Sequence, residues 1–277
     1  MKPVEPIITT HLFPHLHAQL IPLLKSLTPD DWLKPTACTP WTVKDVVAHL
    51  LDGQIKRLSL HRDRLPLLKP ETPITTNTDL VTFINRTNEE WIRVARRIGP
   101  NLLIEFLDVT GPQVYQFFEA IDPHGPAVVS VSWAGEEASA NWFDIAREYT
   151  EWWLHQQHIR DAIDQPGLTD RTTMYPVLDT FMRALPFTYR AIEASDGTSI
   201  VFTITGEAGG AWSLVREMEA WQLFYGQFPQ PATRVTLSQD TAWRLFTKGL
   251  DPAAASLQLE GDKALATTVL QMVSIVA

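Results

Sequence analysis

Cysteine is nearly absent: Cys38 is the single thiol in 277 residues. One thiol closes no internal disulfide and cannot build a cysteine-rich zinc cluster. Long apolar runs are missing too. No stretch approaches the roughly 20 apolar residues of a membrane span, and the opening MKPVEPIITTHLF lacks the apolar run of a secretory signal. Basic charge is scarce: 23 Lys and Arg face 32 Asp and Glu, a net charge of −9. That balance argues against nucleic acid or an anionic membrane as partner. There is no phosphate-binding loop, since GEAGG at 206–210 lacks the spacing and the lysine and reads as a hairpin turn. There is no G-x-S-x-G elbow and no internal repeat. These absences leave a soluble, cytoplasmic protein of a reducing compartment as the expectation.

What is present suits a globular chain: 45% hydrophobic residues, 20% charged and ten tryptophans. That is apolar material enough for a core without help from a metal or a disulfide. Residues 7–27 carry helical periodicity interrupted by Pro14 and Pro22. A turn-like segment with three prolines leads to TVKDVVAHLLDG, where Thr42 and Asp45 form a capping box and Val43, Val46, Val47, Leu50 and Leu51 one apolar face. Residues 79–98 make a third helix ended by Gly99-Pro100. Residues 101–121 read as helix in two pieces, and PHGPAVVSVSWAGEE as Gly/Pro-rich with a short β-like run. Residues 141–163 form the fourth principal helix. After DQPGLTDRTT comes one more helix over 174–193. The texture then changes to short β-prone runs, TSIVFTITG, AWSLVREM, AWQLFYG and ATRVTLS. Two further helical stretches follow, DTAWRLFTKGL and GDKALATTVLQMVSIV. The expected fold is α plus α+β: a helical bundle over residues 1–170 and a small α+β domain over 171–277.

The chemistry concentrates in EWWLHQQHIRD. Residues four apart on a helix share a face, so Glu151 and His155 can reach one ion together. A carboxylate and an imidazole suit zinc, and also nickel, iron or manganese. A catalytic site needs a third ligand from another element, and His49 in DVVAHLL is the best donor. Two readings compete at each position. The Glu151–His155 pair is a metal site or a solvated polar face, and His49 is a ligand or a core histidine. His158 reads as a group behind the ligands or as a surface residue, and His11 and His15 as a solvated pair. Cys38 reads as structural, because no base or cation that would activate it is evident nearby in sequence.

These residues carry a resemblance. TPWTVKDVVAHLLDG followed by EWWLHQQHIRDAI resembles the DinB-like superfamily, and more closely the mycothiol-dependent maleylpyruvate isomerase family. GEAGGAWSLVRE, ATRVTLSQDTAWRLFTKGL and LEGDKALATTVLQMVSIV are similar to that family's C-terminal, sterol-carrier-like domain. The resemblance implies a four-helix bundle holding a divalent metal, typically zinc, on His49, Glu151 and His155. It also implies a low-molecular-weight thiol such as mycothiol, and an arginine of the second domain as a catalytic group. Arg216 is the candidate, with Arg234 and Arg244 as competitors. His158 stands where the family pattern often has Asp, which puts metal identity and thiol choice in question.

Two function classes follow. The first is a metal-dependent, thiol-using enzyme, an isomerase of the maleylpyruvate isomerase type or a thiol S-transferase. It acts on a small-molecule electrophile or a thiol conjugate, with a homodimer as the expected assembly. The alternative is a non-catalytic small-molecule-binding protein with a structural or vestigial metal site.

Overall fold

Prolines and capping residues decide where the helices begin. The structure, a computed structural model, describes residues 2–275 apart from the side chain of Asn77. In chain order the first half contains strand β1 (Lys2–Pro3) and helices α1 (Phe13–Ser26), α2 (Val43–Arg57), α3 (Asn77–Ala95), α4 (Pro100–Ala120) and α5 (Asn141–Ala162). Pro14 lies in the first turn of α1, where its missing N–H costs nothing, and Pro100 does the same for α4. α2 starts with a complete capping box, in which the Thr42 hydroxyl and the Asp45 carboxylate each accept the other's backbone N–H. His11 and His15 are exposed.

The described residues form two units. One is helical and takes residues 8–128 and 148–168; the other is α+β and takes 2–7, 129–147 and 169–275. α5 therefore contributes its first two turns to one unit and the remainder to the other.

In the helical unit the expected face of α2 is buried throughout. Val43, Val46, Val47, Leu50 and Leu51 join Leu20, Leu24, Ile92, Leu103, Leu107 and Ile159 in one cluster. Each such side chain contributes roughly 1.5–3 kcal/mol on burial. α4 is one helix, not the two pieces expected from Gly111-Pro112. Pro112 removes one helical N–H, but side chains occupy neighbouring carbonyls: the Thr110 hydroxyl donates to Phe106 O and Gln113 Nε2 to Val109 O. Gly111 also lets the His17 ring lie directly on the helix, where an added Cβ would come within 2.6 Å of Nδ1.

The α+β unit holds helices α6 (Arg171–Met182) and α7 (Leu185–Thr188), strands β2 (Ser199–Thr205), β3 (Gly210–Glu217), β4 (Ala220–Tyr225) and β5 (Thr233–Ser238), helix α8 (Gln239–Phe246), strand β6 (Gln258–Gly261) and helix α9 (Lys263–Thr267). The single helix expected over 174–193 is two, because Pro186 cannot donate to the preceding turn. The sheet order is β1-β4-β3-β2-β5-β6, with β2 and β5 parallel and the other pairs antiparallel. β2 lies in the interior of the sheet, and Ile200, Val201, Phe202 and Ile204 are all buried, so both its faces are covered. The β-like run expected before α5 is no strand. Ser132–Ala134 is a single 3₁₀ turn ended by Gly135, whose positive φ and absent Cβ leave space for the Phe187 ring.

Candidate metal centre

Two helices of the helical unit carry the site. The register of α2 is fixed at its start by Thr42 and Asp45. Asp45 also receives Arg96 through Nε and Nη2, at 3.0 and 3.1 Å. Trp91 Nε1 donates to Ala48 O at 2.8 Å and ties α3 to α2 one residue before His49. α5 is anchored on the opposite side. Gln156 donates to Leu16 O of α1, Trp153 to Leu168 O, and Arg160 to Pro166 O. A buried ion pair joins the two carriers, with Arg57 Nε of α2 2.6 Å from Glu148 Oε2 of α5.

This frame brings His49, Glu151 and His155 together. One ligand atom from each lies within 4.8 Å of the other two. The His49 and His155 rings meet edge to face, with centroids 4.8 Å apart, and Trp41 covers the other side of His49 at 5.0 Å. His155 Nε2 is 3.3 Å from Glu151 Oε2. Nδ1 of His49 is buried without a hydrogen-bond partner, and His155 turns Nε2 toward the Glu151 carboxylate. An orphaned imidazole nitrogen beside a carboxylate is what a metal would satisfy. The residues present therefore fit a divalent ion.

The electrostatics agree. Burial, and then the neighbouring His155, push His49 down to about 3, so this imidazole is neutral and its lone pair is available. Burial also opposes a charge on His155, but Cys38 and Glu151 outweigh it and raise the group to about 10. The pocket thus stabilises positive charge at the point where the triad converges.

Cys38 and His158, which sequence reasoning kept apart from each other, are neighbours. Cys38 Sγ lies 2.9 Å from His158 Nδ1, and His158 is buried rather than on the surface. They are 120 residues apart in the chain, so no local pattern could have paired them. Cys38, His155 and His158 make a second cluster with donor atoms within 4.8 Å.

Arg216 lies on β3 in the α+β unit. It is half-buried, 5.9 Å from the Trp221 ring centroid, and its Nε is buried without a hydrogen-bond partner. Arg234 is on β5. Arg244 on α8 is engaged with Asp240 at 3.0 Å and lies over the Trp243 ring.

Residues 13–160, more than half of the chain, match the family described as the mycothiol maleylpyruvate isomerase N-terminal domain. The chain belongs to the mycothiol maleylpyruvate isomerase family. Its fold is likewise similar to a solved structure described as the mycothiol-dependent maleylpyruvate isomerase, at TM-score 0.53 and 10% identity over 91% of each chain. A variant of that protein with one histidine replaced by alanine matches at TM-score 0.52, again at 10% identity over 91% of each chain. No curated protein matches the chain. The structural match over 91% of each chain fits a helical unit and an α+β unit with a six-stranded sheet. Among the described residues no helix is long and apolar enough to cross a membrane.

Proposed function

We propose that this family member is a metal-dependent enzyme that uses a low-molecular-weight thiol, such as mycothiol, to isomerise or thiolate a small electrophile. The observation that carries the reading is the convergence of two imidazoles and one carboxylate, with the His49 Nδ1 buried and unpartnered. His49, Glu151 and His155 would hold the ion, with zinc the first choice and nickel, iron or manganese the others. When bound, the ion supplies the positive charge that favours a thiol as thiolate.

The chain's own groups do the rest. Neutral His49 presents a lone pair from a rigid helix, and Trp41 keeps water from one side of its ring. Glu151 is a third exposed, so it links the buried imidazoles to solvent and can pass the thiol's proton outward. A thiolate then forms a C–S bond at an electron-poor double bond. The former double bond becomes single and rotates, and elimination breaks the C–S bond to return thiol and trans product. In a transferase the adduct is protonated and released instead. Arg216 is assigned to the carboxylate of an anionic substrate, where a planar guanidinium binds two oxygens at once. A cytoplasmic location and a homodimer accompany this reading.

A second reading is a binding protein whose metal is structural. It is favoured by the nearness of Cys38 and His158, either of which would close a four-ligand shell. Elemental mass spectrometry of untagged protein, wild type beside His49→Ala, is the first test. A loss of about one divalent ion per chain in the variant relative to the wild type is expected. Thiols would then be screened for turnover of maleylpyruvate. No ion in either protein after incubation with zinc removes the enzyme reading. A stoichiometric ion with no thiol-dependent turnover favours the binding protein.

A further inference from the structure

Cys38 has no part in the reaction above, yet it is held firmly. Its backbone N–H donates to the Thr36 hydroxyl at 3.2 Å, and its carbonyl accepts from Trp41 N–H at 2.7 Å. The sulfur lies 2.9 Å from Nδ1 of His158, which is 6% exposed, and the same thiol contacts His155, 7% exposed. The two histidines sit three residues apart on α5, so they share a face with no backbone movement. With Nε2 of His155 turned to Glu151, the buried Nδ1 is left over. One imidazole therefore stands between two triads of different character: oxygen and two nitrogens on one side, sulfur and two nitrogens on the other.

We propose that Cys38, His155 and His158 form a second metal position, for a thiophilic divalent ion of the zinc class, adjoining the His49–Glu151–His155 position.

The donor chemistry selects the ion. A thiolate with two imidazoles is a zinc-type set, whereas the carboxylate-containing set accepts a wider range of hard and borderline ions. The geometry needs little adjustment. Tetrahedral zinc separates a sulfur and a nitrogen ligand by about 3.5 Å, so the Cys38–His158 pair opens by roughly 0.6 Å, within the reach of a small side-chain rotation. A plain thiol–imidazole hydrogen bond would account for Cys38 and His158. A single S–H proton serves one histidine at a time, whereas an ion engages both His155 and His158. His155 has one nitrogen for each position, and filling both at once makes it a bridging imidazolate whose N–H proton is released to solvent.

Cobalt(II) is the probe, because it adopts zinc-like geometry and a thiolate ligand adds a strong sulfur-to-metal charge-transfer band in the near ultraviolet. Full-length wild type, Cys38→Ser, His158→Gln and His49→Ala are titrated with cobalt, with bound metal counted by elemental mass spectrometry. Circular dichroism checks that each variant is folded. The wild type is expected to show the band. Cys38→Ser abolishes it but still binds cobalt through the His49 set, and His49→Ala retains it. His158→Gln weakens cobalt binding at the band-bearing position at least roughly tenfold, the effect that even outer partners of a ligand command. No band in the wild type at saturating cobalt overturns the proposal. So does loss of the band in folded His49→Ala, since Cys38 would then be only a fourth donor to the first ion. If His49→Ala is poorly folded, Glu151→Gln breaks the same first set and is read the same way. Metal retained by Cys38→Ser reports on the first set alone, so failure of either position is seen separately.

Discussion

Glu148→Gln tests the frame that holds the two ligand-bearing helices. The carboxylate receives Arg57 Nε at 2.6 Å and Trp152 Nε1 at 3.1 Å, with the Arg57 and Glu148 side chains only 7% and 9% exposed. Glutamine keeps the shape and an acceptor for Trp152 but removes the charge, so Arg57 is left buried opposite a neutral amide. Breaking a buried pair in this way costs about 3–5 kcal/mol. Arg57 keeps a contact with His61 Nε2 at 3.4 Å and lies 5.9 Å from the Phe118 ring centroid, which places the expectation at the low end, about 3 kcal/mol. Removing both charges with Arg57→Met and Glu148→Gln should restore most of that loss, because no uncompensated ion remains and Trp152 keeps its acceptor. Urea unfolding followed by tryptophan fluorescence measures the loss, and metal titration measures its effect on the site. A slackened α2–α5 junction should weaken metal binding roughly tenfold, as loss of outer support does elsewhere. A cost below about 1 kcal/mol for Glu148→Gln, or a double variant no better than the single one, would refute the reasoning.

Three further outcomes follow from named contacts. Burial alone would raise the Asp45 carboxyl, but Arg96 and Thr42 outweigh it and hold it below the usual range. Its contribution is therefore full above the unfolded value of about 4 and lost as pH falls through the lower folded value. Asp45→Asn should cost about 1–2 kcal/mol at neutral pH, discounted because Arg96 is half exposed. It should also flatten the acid limb of stability against pH; an unchanged limb would assign the acid sensitivity to other carboxylates. Gly111→Ala should destabilise by about 1–3 kcal/mol, since the new methyl overlaps the His17 ring; thermal unfolding equal to wild type would mean the ring moves freely. Arg216→Ala should raise KM for an anionic substrate by roughly 10–100-fold, the worth of a charge-assisted hydrogen bond, with little change in KM for the thiol. Unchanged kinetics would return the role to Arg234 or Arg244.

The helical half was legible wherever one helix carried its own signals. Thr42 and Asp45 declared the start of α2, and its apolar spacing declared the buried face, because both are local. The Glu151–His155 pair was legible for the same reason: four-residue spacing fixes a shared face. His49 could be named only as the best donor from a second helix, since its meeting with α5 depends on packing that no short stretch encodes. The proximity of Cys38 and His158 was illegible, because it arises from a proline-rich turn settling against a helix 120 residues later. Proline misled in both directions. Pro112 suggested a break that side-chain hydrogen bonds and packing override, while the break made by Pro186 passed unnoticed inside an apolar stretch. β6 and β1 escaped because edge strands of four and two residues carry too little alternation to read.

The first strand sets an order of events during synthesis. Lys2 and Pro3 pair with Tyr225 and Phe224, and Val4 N–H reaches Leu223 O. Residues 2–4 therefore wait for residues made more than two hundred positions later. Residues 129–147, also of the α+β unit, emerge midway and wait as well. Synthesis proceeds at about 5–20 residues per second, so β1 stays unpartnered for roughly ten seconds or more. The helical unit, by contrast, has its last segment once residue 168 has emerged. The sheet can close only near the end of translation, after the helical unit has all its segments.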